Sequence, residues 1–141
     1  MCMIGEFVKM QTVPRATPLT GWRTWRIGPA GSLRSVFKGH TWRRVSHADK
    51  RPTSTPQHGL WAFKSQTAAK ANGSPYGRVE LWGRVAVHTG GYRAEHARII
   101  RVVFGQLQSR CSAPCSVCNK EKANLETARR RWRTVPARGK K

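Results

Sequence analysis

The chain has 141 residues and carries 27 Lys plus Arg against 6 Asp plus Glu, a formal charge of +21. That length fits one domain of ordinary size with a tail, and 38% apolar residues with six Trp supply a modest core. The absence of any run of about 18 apolar residues excludes a transmembrane helix, and only six carboxylates argue against a carboxylate-dense cation cage.

The positive charge is spread along the chain. Residues 1–56 hold 10 basic and 2 acidic side chains, residues 57–110 hold 8 and 2, and residues 111–141 hold 9 and 2. A compact chain of this charge repels itself, so a partner or counterions must offset the field. Nucleic acid is the commonest such partner, because each phosphate contacted releases condensed counterions. Arg outnumbers Lys by 18 to 9, and guanidinium groups suit bidentate phosphate contact and stacking on bases. Met1 to Thr12 lacks the basic-then-apolar order of a secretory signal. Three of the four cysteines fall within eight residues, unlike a secreted disulfide framework. A cytoplasmic location is the expectation.

Taken in order, residues 1–20 read as an irregular arm, with Pro14 and Pro18 denying a helical period. Trp22 to Ile27 (WRTWRI) suggests a strand, Gly28 to Gly31 a turn, and Leu33 to Phe37 a return strand. Thr41 to Val45 is a third candidate strand, and Ser46 to Gly59 the longest loop. Leu60 to Phe63 reads as a buried strand. Ser65 to Asn72 reads as a short helix with Ser65 as its N-cap and Gly73 as its stop. Arg78 to His88 has period two, with Val79, Leu81, Val85 and Val87 alternating with more polar residues and Gly83 marking a bulge or a close backbone approach. Thr89-Gly90-Gly91 signals a hairpin turn. Tyr92 to Ala97 runs back, and Ile99 to Phe104 makes a further strand. Residues 105–118 are irregular, and Asn119 caps a helix to about Arg133 with Leu125, Ala128 and Trp132 on one stripe. In that helix Glu126 and Arg130 stand at pairing distance.

Two segments are similar to a known set of sequences. Gly21-Trp22-Arg23-Thr24-Trp25-Arg26-Ile27, then His58-Gly59-Leu60-Trp61-Ala62-Phe63-Lys64 through Leu81-Trp82-Gly83-Arg84-Val85 to Gly91-Tyr92-Arg93-Ala94-Glu95, resemble small actinobacterial or phage-borne proteins. Those combine a WR-type strand, an H/C-G-I-x-A-F-K segment and an LWG-x-V…GYRAE hairpin. The resemblance covers about residues 21–104 and implies a domain of that extent. It carries no established activity. Similar proteins tend to place Glu after the LWG-x-V strand, where this chain has Val87, His88 and Thr89.

Four constellations bear chemistry. Cys111, Cys115 and Cys118 form C-x3-C-x2-C, three of the four donors a tetrahedral zinc needs; His96, His88, Cys2 or a water would have to complete the set. Trp–Arg interleaving (Trp22, Arg23, Trp25, Arg26, Trp42, Arg43, Arg44, Trp82, Arg84) sets aromatic rings beside guanidinium groups, a combination that stacks bases and holds phosphates. Strand alternation turns Trp82 away from Val79, Leu81 and Val85, which predicts exposure. Arg129-Arg130-Arg131-Trp132-Arg133, with Lys140 and Lys141 beyond, is an arginine-rich segment of the type that enters grooves. Last, Tyr92, Glu95 and His88 are the residues available for a small pocket enzyme. No nucleophile elbow, phosphate loop or H-E-x-x-H supports that reading, and Arg93 with Glu95 suits a structural ion pair.

The fold expected is α+β: a small, twisted, mostly antiparallel sheet or partial barrel with one short helix, plus a basic C-terminal helix or tail. The division expected is an arm at 1–20, a core domain at 21–104, and a cysteine loop with basic tail at 105–141. The function expected is non-catalytic binding of nucleic acid, RNA or single strands slightly ahead of duplex DNA, by a small phage-type accessory or regulatory factor. The alternative is a protein-interaction factor or inhibitor docking on a host nucleic-acid-handling complex. Zinc is the one cofactor in view, and no membrane partner is expected.

Overall fold

The computed structural model describes residues 4–35, 41–48, 59–71, 73, 75–104 and 116–132, with side chains of the last segment described from 119. The strands are β1 (Phe7–Val13), β2 (Leu19–Ile27), β3 (Leu33–Ser35), β4 (Thr41–Trp42), β5 (Val45–His47), β6 (Leu60–Phe63), β7 (Tyr76–His88) and β8 (Gly91–Val103). The helices are α1 (Gln66–Ala71) and α2 (Ser116–Trp132). Every described strand pairing is antiparallel. The α+β class read from the sequence is therefore the observed one.

The long β7–β8 hairpin organises the sheet. It turns through Thr89 and Gly90, and Val87 stands opposite Tyr92 at its closed end. β8 pairs β6, β6 meets β2 at Trp22 and Phe63, and β2 pairs β7 from Leu19↔Leu81 to Thr24↔Tyr76. These contacts close a ring β7–β8–β6–β2, the partial-barrel form of the expectation. Closure leaves an inner face that Leu60, Ala62, Val79, Leu81, Val85, Ala94, Ala97 and Ile99 fill. A second apolar cluster of Ile4, Phe63 and Ala69 lies where α1 covers the sheet. Ser65 caps α1 as expected, its Oγ accepting the Ala68 N–H at 3.0 Å.

Four local expectations are corrected. Residues 1–20 are not an irregular arm: β1 pairs β7 from Phe7↔His88 to Val13↔Gly83, and Pro14 and Pro18 confine themselves to the connection before β2. The segment expected as one strand from Thr41 to Val45 breaks at Arg43 and Arg44. Its first half pairs β3 and its second crosses to β8. Gly91 to Val103 forms one strand, with register shifts opposite Arg78/Val79 and Trp82/Val85, rather than two strands, and Phe104 lies beyond its end. Helix α2 begins at Ser116, ahead of Asn119.

α2 docks on the 3-10 turn Pro29–Gly31 at the tip of the β2–β3 ribbon. Leu125, Ala128 and Trp132, the stripe read from the sequence, are its buried side chains. Gly31 has φ +73, and a Cβ there would lie 2.6 Å from the Ala128 nitrogen, so the helix can approach only a glycine. The Trp132 indole N–H donates to the Gly31 carbonyl at 3.0 Å.

Candidate nucleic-acid interface

The Trp–Arg interleaving is used mostly inside the molecule. Arg23 is 1% exposed. Its guanidinium lies 4.4 Å from the Trp42 ring centroid and 4.2 Å from that of Trp61. Its nitrogens donate to the Trp61 carbonyl at 2.7 Å and to Ser35 Oγ at 2.8 Å, and Trp42 Nε1 shares that hydroxyl at 3.1 Å. Burial, with the Arg93 charge adding to it, pulls the Arg23 pKa down to about 9, which leaves it charged at neutral pH. Aromatic faces and two acceptors thus replace the water that this cation gave up. Arg23 cannot serve as a surface phosphate contact.

Trp82 corrects a second expectation. It is 8% exposed, although strand alternation turns it away from Leu81. The reason is that both faces of the sheet are covered at this point. The ring core lies on one side, while His96 stacks on the indole at 5.7 Å and Arg15 stands 4.9 Å over it. The bulge expected at Gly83 is present, with φ +87 and a register shift between Trp82 and Val85. Trp132 is buried as well, with Arg44 and Arg131 each 5.3 Å from its ring. Of the six Trp, Trp25, Trp42, Trp82 and Trp132 are buried and Trp22 and Trp61 half-buried. Base stacking on open indole faces, the ground for preferring single strands, thereby loses most of its carriers.

One group of exposed cations lies at the end of the molecule built by β2, β3 and α2. Arg26 stands directly opposite Arg34 across the ribbon, both exposed, while their neighbours Trp25, Leu33 and Ser35 point inward. At the tip, Arg44 donates to the Arg131 carbonyl at 3.0 Å, which ties the β4–β5 junction to the last turn of α2. Arg129, Arg130 and Arg131 are exposed on that turn, where the helix dipole favours cations. Arg43 is exposed beside Arg44, its backbone N–H held by Ser46 Oγ at 2.8 Å. A second cross-strand pair, Arg78↔Arg101, is exposed on β7 and β8, near the Arg98–Glu80 ion pair at 2.6 Å. Arg84 is exposed on β7 opposite Thr12. Glu126 and Arg130 stand at helical pairing distance, and neither takes part in a described ion pair.

Arg133, Lys140 and Lys141 lie outside the described residues, as do Cys111, Cys115 and the Cys118 side chain. The zinc expectation falls there too. Among the described residues, no group of three or more His, Cys, Asp or Glu side chains is placed to hold a metal ion.

Of the three residues of the pocket-enzyme reading, His88 and Glu95 meet different neighbours. His88 is 1% exposed at the end of β7. Its Nδ1 meets the Gly5 carbonyl at 3.1 Å, and its Nε2 has no hydrogen-bond partner among the described residues. Burial lowers its pKa, with Arg93 adding to the effect and the Gly5 contact opposing it. Glu95 instead reaches the surface on the far side of the bulge, where Oε1 accepts the Arg84 backbone N–H at 3.1 Å and lies 3.7 Å from His96 Nε2. Sequence reading missed His47, which β5 delivers to His96; nothing in the sequence near either residue signals that meeting.

Among the described residues no helix is long and apolar enough to cross a membrane. The chain matches no family model, no curated protein sequence and no solved structure.

Proposed function

We propose that the protein binds nucleic acid by its phosphate backbone, through the exposed arginines of the β2–β3–α2 end. The observation that carries this reading is the Arg26–Arg34 cross-strand pair. The two residues face each other across the β2–β3 ribbon, and Arg44, bonded from the β4–β5 junction to the Arg131 carbonyl, joins Arg130 and Arg131 of the docked helix at the same end. A chain of charge +21 has little carboxylate to neutralise such a cluster from within. Guanidinium groups bind phosphate oxygens through two parallel charged hydrogen bonds. The role that follows is that of a small accessory or regulatory factor acting on RNA or DNA. Binding of nuclease-treated protein to fluorescent RNA, single-stranded DNA and duplex DNA over a salt series tests it. Several phosphate contacts give a log–log slope steeper than about −4; binding that vanishes near physiological salt for all three would overturn it.

A second reading, a factor that docks on another protein, has its own observation. The exposed large apolar residues Phe7, Val8 and Met10 all stand on β1, an edge strand paired on one side only. An open apolar edge accepts a further strand. Retention of a partner after nuclease treatment, and its loss in Val8→Lys, would favour this reading over the first.

A further inference from the structure

Two histidines meet on the outside of the sheet because β5 crosses to β8. His47 stands opposite His96 in register, and their Nδ1 atoms are 2.7 Å apart with the rings at 82°. One proton fits between two nitrogens at that distance, so one ring donates and the other accepts. The surroundings of His96 favour one assignment. Its Nε2 lies 3.7 Å from Glu95 Oε1, an electrostatic contact that favours the tautomer with its N–H there and its Nδ1 lone pair toward His47. In that tautomer His47 donates from Nδ1 and carries its lone pair on Nε2, at an exposed residue.

The surroundings hold this chain of groups in place. Glu95 is fixed by the Arg84 N–H. The His96 ring is stacked on Trp82 at 28°. The bulge makes the room: a Cβ on Gly83 would lie 2.7 Å from His96 Cδ2 and 2.8 Å from Glu95 Oε1. Bulges recur beside active sites because they re-aim side chains in this way. Among the described residues no Ser, Thr or Cys side chain hydrogen-bonds to either imidazole. On the nucleic-acid reading the nucleophile can come from the substrate itself. RNA supplies one in its 2′-hydroxyl, and DNA does not.

We propose that Glu95, His96 and His47 form a proton relay with which the protein cleaves RNA, His47 Nε2 accepting the proton of a ribose 2′-hydroxyl. This rests on the nucleic-acid reading above. The 2′-oxygen forms a bond to the adjacent phosphorus as the bond from phosphorus to the 5′-oxygen breaks. The 2′-proton goes to His47, whose Nδ1 proton shifts to His96 beside Glu95. The departing 5′-oxygen takes a proton from solvent, and the relay returns one to solvent. The products are a 2′,3′-cyclic phosphate end and a 5′-hydroxyl end, with no net consumption of water and no redox change. Arg15, exposed and 4.9 Å over the Trp82 ring on which His96 stacks, is a cation on the same face of the sheet, of the kind that stabilises a developing phosphorane. His47 is the catalytic residue of this scheme, and Glu95 a positioning residue.

The test is a 5′-fluorescent single-stranded RNA and its all-deoxy counterpart, incubated with the full chain in EDTA, with binding measured in parallel. The expected result is RNA cut to fragments ending in 2′,3′-cyclic phosphate and intact DNA. His47→Ala should slow cleavage by about 100-fold or more while RNA affinity stays within about twofold. Glu95→Gln should slow it less and change its pH profile, which a purely structural carboxylate would not do. Circular dichroism confirms that each variant is folded. RNA that is bound but uncut overturns the relay and leaves the binding reading standing; RNA neither bound nor cut removes both. Cleavage that survives His47→Ala, or that stops in EDTA, also overturns it.

Discussion

Arg23 lies with its guanidinium 4.2 Å from the Trp61 ring centroid and donates to the Trp61 carbonyl at 2.7 Å. One side chain thereby ties β2 to β6 at the seam where the ring of strands closes. Lysine has neither the planar face for the indoles nor the second donor for Ser35. Arg23→Lys should cost about 2 kcal/mol, roughly one lost charged hydrogen bond with its stacking. A urea unfolding curve with an unchanged midpoint would show that the contact contributes nothing.

His88 makes stability depend on pH on the acid side. Its folded pKa is lowered by burial, while the unfolded imidazole titrates near its ordinary value of about 6.5. The unfolded chain therefore binds the proton first as pH falls, and stability held above about 6.5 is lost below it. His88→Gln keeps a polar group near the Gly5 carbonyl and removes the titration. The thermal midpoint should fall less between pH 7.5 and pH 5.5 in the variant than in the native chain; parallel curves would contradict this.

Gly83→Ala tests the bulge. A side chain at φ +87 is strained, and its Cβ would also meet Glu95 and His96. The two effects together should cost about 2 kcal/mol or more. The variant should also lose RNA cleavage while keeping affinity, measured on the same protein sample.

Trp132 anchors α2 by its burial and by its bond to Gly31. Trp132→Ala should weaken the docking of the helix by about 3–5 kcal/mol. Amide exchange locates the loss: protection should fall across α2 and the Pro29–Gly31 turn before it falls in β7 and β8. Uniform loss throughout would place α2 within the main cooperative unit.

Much of the fold could be read from local chemistry. The period-two run of β7, the Thr89–Gly90 turn, the Gly83 bulge, the Ser65 cap and the stripe of α2 are all nearest-neighbour signals. β1 escaped because an edge strand exposed on both faces has no alternation to detect. Trp82 was misplaced because alternation reports burial only when one face of a sheet is wet. Of the site, the arginine-rich turn of α2 and the Arg26 and Arg44 positions were visible. The fate of Arg23 was not, since adjacency in WRTWRI does not reveal that its guanidinium finds Trp42 and Trp61 instead of the neighbouring Trp22 and Trp25. The His47–His96 contact depends wholly on where β5 crosses, which no local pattern encodes.

The most direct test of the central claim is the salt dependence of RNA binding by two triple variants of equal charge loss. One carries Arg26→Ala, Arg43→Ala and Arg130→Ala at the β2–β3–α2 end; the other carries Lys9→Ala, Lys64→Ala and Lys70→Ala elsewhere on the exposed surface. The account predicts that the first reduces the log–log slope by about 2–3 and the second by less than about 1. Equal slopes in the two variants would contradict it, since the charge would then act as a diffuse field with no phosphate-binding face.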